Sequence, residues 1–149
     1  LIDTGSGAGL AGAMSEAYNK GNGYIGYYWG PTSILGQIKM VQVDMGPFDQ
    51  AEWDRCIGST PDCPDPKGMS YPSSAVEIYV SKKIMDNSIV MEYLGKRGMT
   101  SGEISEVLAA ADADQLSPEE AAEYILKERG DLWESMVSAD AAKKIKASL

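Results

Sequence analysis

Tyr24-Ile25-Gly26-Tyr27-Tyr28-Trp29-Gly30-Pro31 is the stretch on which the fold reading turns. Aromatic and β-branched residues suit a pleated, half-buried strand, and Gly30-Pro31 stops it. Just beyond, Lys39-Met40-Val41-Gln42-Val43-Asp44-Met45 alternates apolar and polar side chains, the period of a second strand. A third strand is predicted over residues 75–81, Ala75-Val76-Glu77-Ile78-Tyr79-Val80-Ser81. Upstream, residues 1–4 read as the tail of a strand, and residues 5–20 as a helix stacking Leu10, Met14 and Tyr18, ended by Gly21. Strands alternating with helices predict an α/β chain.

Between the second and third strands, residues 47–54 are read as one or two helical turns around Trp53, and residues 55–74 as loop. Cys56-Ile57-Gly58-Ser59-Thr60-Pro61-Asp62-Cys63 is full of turn formers, with Pro64 and Pro66 behind it. Two cysteines in such a loop point to a local disulfide, Cys56 to Cys63, that staples it in an oxidising compartment. Two thiols make a poor zinc site, so no metal is expected.

After residue 81 the pattern is helical and the caps are legible. Asp86 is placed to cap a helix carrying Ile89, Val90, Tyr93 and Leu94. Thr100 with Glu103 forms a capping box, before a helix presenting Ile104, Val107, Leu108 and Ala111 on one face. Ser117-Pro118-Glu119-Glu120 is a second capping box, with proline at the first helical position. Residues 131–136 turn around Trp133, and Ser138 caps a last amphipathic helix.

Composition narrows the function. The chain has 149 residues, 44% of them apolar, and a net charge of −9 from 13 basic against 22 acidic residues. Nucleic-acid and anionic-membrane partners need clustered Lys and Arg, so neither is expected. There is no histidine. Ser-His-Asp, Cys-His and His-based zinc chemistry are therefore excluded within this chain. Glu119-Glu120 is an acid pair, but helix capping and the macrodipole account for it. An enzyme is not expected, and neither is a cofactor.

Tyr24 to Pro31 followed by Met40-Val-Gln-Val-Asp44 resembles glycine betaine- and proline betaine-binding proteins, in which an aromatic strand ends in Trp-x-Pro. Met69-Ser-Tyr-Pro-Ser-Ser-Ala-Val-Glu-Ile-Tyr-Val-Ser81 is similar to their return segment between lobes. Trp133-x-x-x-Val137-x-x-x-x-Ala142-x-x-Ile145 is similar to their terminal helix. The resemblance implies a type II periplasmic-binding-protein-like fold of two lobes, of which this chain is the C-terminal half. Residues 1–70 would belong to the second lobe, and residues 71–149 to the return segment and helical part of the first.

The function implied is the extracytoplasmic, periplasmic or cell-surface, solute-binding component of an ABC importer. Its partners would be a betaine- or choline-like osmolyte and a membrane permease. An effector- or ligand-sensing module of the same fold is the alternative. A trimethylammonium group donates no hydrogen bonds and is held by π-faces, so Trp29, which matches the family's cage tryptophan, is the first ligand-binding candidate. Tyr28 and Tyr71 follow. Strand alternation puts Tyr27 rather than Tyr28 on the Trp29 side, and the Gly30-Pro31 break loosens that rule. Without the resemblance, Trp29 reads as a core anchor. Complete members carry an earlier half, so either a missing N-terminal half or self-association is expected to cover surface left open here.

Overall fold

In the computed structural model, which describes residues 3–58 and 62–149, the regular elements are helices. They are α1 (Gly7–Asn19), α2 (Ser33–Gln37), α3 (Gln50–Glu52) running into a π turn (Trp53–Ile57), and α4 (Lys82–Met85). Then come α5 (Ser88–Lys96), α6 (Ser101–Ala113), α7 (Pro118–Glu128), α8 (Gly130–Trp133) with a 3₁₀ turn (Glu134–Met136), and α9 (Ala139–Ser148). The chain divides into two compact units. One runs to Met40 and resumes over Val80–Leu149; the other is Val41–Tyr79.

The α/β, type II two-lobe expectation is corrected here: among the described residues no strand and no sheet forms. Residues 24–28, 39–45 and 75–79 run outside any helix, as their residue types favour, yet no ladder joins them. A strand is a relation between two segments, because its backbone N–H and C=O groups must bond across to a neighbour. Their alternating apolar side chains consequently stay in solvent: Ile25 is 86% exposed and Val76 97%. Of the strand expected over residues 1–4, Leu1 and Ile2 lie outside the described residues, as do Ser59 to Pro61 of the expected loop.

Helix ends follow local chemistry. Ser6 caps α1 by accepting from Gly9 N–H, and Gly21 takes φ +67° where the helix turns off, a conformation open to glycine. Both capping boxes form, Thr100 with Glu103 and Ser117 with Glu120, each with its two reciprocal bonds. The cap of α5 is Asn87, whose side chain accepts from Val90 N–H, rather than Asp86.

In the first unit, α2 lies directly against α6. Gly36 sits so close to the Ser105 backbone that an added Cβ would overlap the Ser105 carbonyl and come within 2.9 Å of the Ala109 Cβ. Ser105, 4% exposed, donates its hydroxyl to the Ser101 carbonyl at 2.8 Å and accepts from Thr32 N–H at 3.1 Å. The face of α6 differs from the periodic expectation: Val107 is buried as expected, but Ser105 turns in and Leu108 turns out. Met14, Ile34 and Ile38 form a core beside this contact, with Tyr24, Tyr28 and Leu35 packed on it. Trp133 is buried in the C-terminal helices, its indole N–H donating to the Leu126 carbonyl at 3.3 Å.

The second unit has little core and is tied by specific bonds. Cys56 and Cys63 are joined in a disulfide, as the spacing predicts. Glu52, 6% exposed, accepts from Arg55 Nε and Nη2 at 2.8 and 2.7 Å and from Lys67 N–H at 2.9 Å. Arg55 also donates to the carbonyls of Pro64 and Asp65. Ser70 returns to the Gly46 carbonyl through both N–H and hydroxyl.

Two measurements test this architecture. Gly36→Ala forces α2 away from α6 and is expected to lower unfolding stability by about 1–3 kcal/mol in urea titration. The second concerns acid. The Arg55 guanidinium, and after it Lys67 N–H, hold the Glu52 carboxyl down to about 2 from an ordinary 4.5. Because the folded value lies below the unfolded one, this contribution is complete above pH 4.5 and is lost as pH falls toward about 2. The urea midpoint should fall across that window, and fall less in Glu52→Gln. The residual slope would come from Glu103, Glu120 and Asp131, whose carboxyls are also held low by hydrogen bonds.

Candidate functional site

Trp29 closes the aromatic segment at the cis Gly30–Pro31 peptide. Its ring stacks on Tyr28 with centroids 4.7 Å apart and planes 23° off parallel, and Tyr27 lies tilted at 6.0 Å. Both tyrosines therefore meet Trp29. The far edge of the indole rests on the first turn of α1, where a Cβ on Gly7 would come within 2.8 Å of Cη2. One side of Trp29 is thus fixed while 45% of its surface remains open to solvent. A core tryptophan such as Trp133 is closed over; Trp29 presents a held but accessible π-surface.

Below it, Tyr28 packs on the core of Met14, Ile34 and Ile38 and also lines a cleft of about 310 Å³. The cleft wall comes from α1 (Ala11, Gly12, Ser15), from Thr32, Ser33, Ile34 and Gln37 at α2, and from Asp112 on α6. Gln37 Nε2 donates to Ser33 Oγ at 2.8 Å, fixing that side. The described residues lining the cleft include one carboxylate and no Lys or Arg. Such a wall can accept hydrogen bonds and attract a cation; it holds no guanidinium to fork onto a carboxylate.

Tyr71, the third predicted site residue, lies in the Val41–Tyr79 unit. It meets Trp53 edge to face, 5.3 Å between centroids at 80°, and Trp53 in turn meets Phe48 at 6.0 Å and 58°. Phe48 and Trp53 were not foreseen as companions of Tyr71. Their signal is the aromatic pair flanking the Gln50–Glu52 turn, but pairing with Tyr71 spans the disulfide loop and is invisible to local spacing. Glu120, half of the acid pair at α7, spends its carboxylate on Ser117 N–H and hydroxyl, at 2.8 and 2.7 Å. Among the described residues no helix is long and apolar enough to cross a membrane.

No curated protein matches the chain. A family does, described as the substrate-binding domain of ABC-type glycine betaine transport systems, and the match runs over residues 1–128. The aromatic stack, the cleft beneath it and α6 all fall within that span. With most of its 149 residues matched, the chain belongs to the family of substrate-binding domains of ABC-type glycine betaine transport systems.

Proposed function

We propose that the protein captures a quaternary-ammonium compound outside the cytoplasm and delivers it to an ABC permease, with Trp29 as one wall of the binding site and Tyr28 behind it. The observation that carries this reading is the Tyr28–Trp29 stack, centroids 4.7 Å apart, with the indole pinned on Gly7 and still 45% exposed. A methylated ammonium has no N–H to donate and is held by the negative face of an aromatic ring, best of all by Trp. Stacking on Tyr28 removes the rotamer freedom that an isolated surface tryptophan would lose on binding. Membership of a betaine-transport family supports the same ligand chemistry. The Cys56–Cys63 disulfide supports an oxidising, periplasmic or cell-surface, location.

The exposed apolar residues of the extended segments, Ile25, Val41, Val76 and Tyr79, support a further element of the reading. In the working protein these exposed apolar residues are covered, either by another polypeptide segment or by a second copy. Light scattering of the 149-residue chain alone is expected to show self-association; a monodisperse, folded monomer would contradict the idea.

Calorimetry of the protein with glycine betaine, proline betaine, choline, carnitine and dimethylsulfoniopropionate tests the ligand. A desolvated cation–π contact contributes about 2 kcal/mol, so Trp29→Ala should weaken binding roughly thirtyfold or more. Equal binding by parent and Trp29→Ala would return Trp29 to a purely structural role.

A further inference from the structure

We infer that Cys63 is the exchange site through which the Cys56–Cys63 staple is made and opened. It is the sulfur that a disulfide-carrying oxidant of the thiol–disulfide oxidoreductase class meets first, and Arg55 is its positioning residue.

The two sulfurs are joined but not equivalent. Cys56 sits in the Trp53–Ile57 turn and is only 5% exposed, whereas Cys63 is half-buried. Thiol–disulfide exchange needs access to the sulfur attacked, which favours Cys63.

Electrostatics single out the same atom. Arg55 Nη1 points at Cys63 Sγ from 3.5 Å and shares itself with the Pro64 carbonyl at 3.4 Å. The rest of the guanidinium is spent: Nε and Nη2 go to the Glu52 carboxylate, and Nη2 also to the Asp65 carbonyl at 3.1 Å. The carbonyl oxygens of Arg55 and Pro64, 3.8 and 3.7 Å from Cys63 Sγ, are uncharged neighbours and weigh less than a guanidinium. Glu52 and Asp65 offset part of the Arg55 charge without reversing its sign at the sulfur. A thiolate beside a guanidinium is favoured over one buried in a helical turn. Glu52 and Arg55 are three residues apart, so their pairing is local and holds Arg55 in place before the staple closes.

The exchange balances in two steps. With both thiols free, the Cys63 thiolate attacks one sulfur of the incoming disulfide, whose S–S bond breaks and releases one thiolate. Cys56 gives its proton to solvent and attacks Cys63 Sγ in the mixed disulfide, releasing the second thiolate and closing the staple. The protein dithiol loses two electrons and two protons, and the oxidant gains them as two thiols. Reduction by a dithiol runs the same path backwards.

The reduced protein, freed of reductant, is alkylated with limiting iodoacetamide at about pH 7, and each cysteine is followed by peptide mass. Cys63 is expected to react about fivefold faster than Cys56, and the difference should vanish in urea. Equal rates in the folded protein, or a faster Cys56, overturn the assignment. Arg55→Gln should slow Cys63, whereas Glu52→Gln, which frees the Arg55 charge, should leave it as fast or faster. If both substitutions slow Cys63 alike, Arg55 acts only by holding the fold and its positioning role is refuted; no change in Arg55→Gln refutes it equally. The exchange itself is read with 2-hydroxyethyl disulfide, a neutral probe. Cys56→Ser should accumulate the mixed disulfide at Cys63 about fivefold faster than Cys63→Ser does at Cys56. Equal accumulation in the two variants sinks the exchange site.

Discussion

The close approach of Gly36 to the Ser105 backbone is the contact on which the first unit depends. A side chain at 36 would hold α2 off α6, and the Thr32 N–H would lose its acceptor, the Ser105 hydroxyl. That hydroxyl serves two partners, because its proton goes to the Ser101 carbonyl while its oxygen receives Thr32. With α2 locked, Ile34 and Ile38 reach Met14 on α1, and Tyr28 is caught on the resulting core. Trp29 follows from Tyr28 by stacking. The cleft follows too, since its walls are the three helices this contact assembles and Asp112 is carried on the same α6. A buried serine on a helix face is ordinarily a cost; here both of its bonding capacities are used, so burial is compensated.

The Val41–Tyr79 unit solves a different problem. Its few residues bury little apolar surface, and small units of this kind need covalent or ionic staples. The disulfide closes the loop, and the Glu52 carboxylate gathers Arg55 and Lys67 onto one buried point. Arg55 then reaches the carbonyls at 64 and 65, so loop and helical turn are held as one piece. The Phe48–Trp53–Tyr71 cluster forms beside this tie rather than in a general core. The unit carries seven acidic residues against two basic ones, a field that favours cations near it.

The proposed function depends on which surface is left open. Trp29 and Trp133 are the same residue type with opposite fates: Trp133 bonds its N–H to Leu126 and is buried, whereas Trp29 is braced from one side only. Bracing without closure is what a cation–π wall requires, because a mobile ring costs entropy on binding and a buried one cannot be reached. The carboxylates elsewhere are largely spent on caps and ion pairs. Glu103 and Glu120 close capping boxes, and Asp131 holds Arg129.

Much of this protein was legible from the sequence because much of it is local. The capping boxes at Thr100 and Ser117 bond within three residues, so any chain containing them as helix starts satisfies them in the same way. The Cys56–Cys63 pair is joined across a short loop of turn formers, and the Trp-Gly-Pro run carried the family resemblance. What failed was the step from pattern to sheet. Alternation over residues 24–28, 39–45 and 75–81 describes which side of a strand would be apolar, but pairing is a property of two segments, and none of the described residues supplies it. The site was legible only in part for the same reason. Trp29 and Tyr28 are neighbours in sequence, but Thr32 meets Ser105 across 73 residues, and Asp112 of α6 lines the same cleft as residues of α1 and α2 far from it in sequence. Local spacing determined caps, staple and aromatic run; long-range packing alone decided which faces of α2 and α6 meet, and so where the cleft and its charge lie.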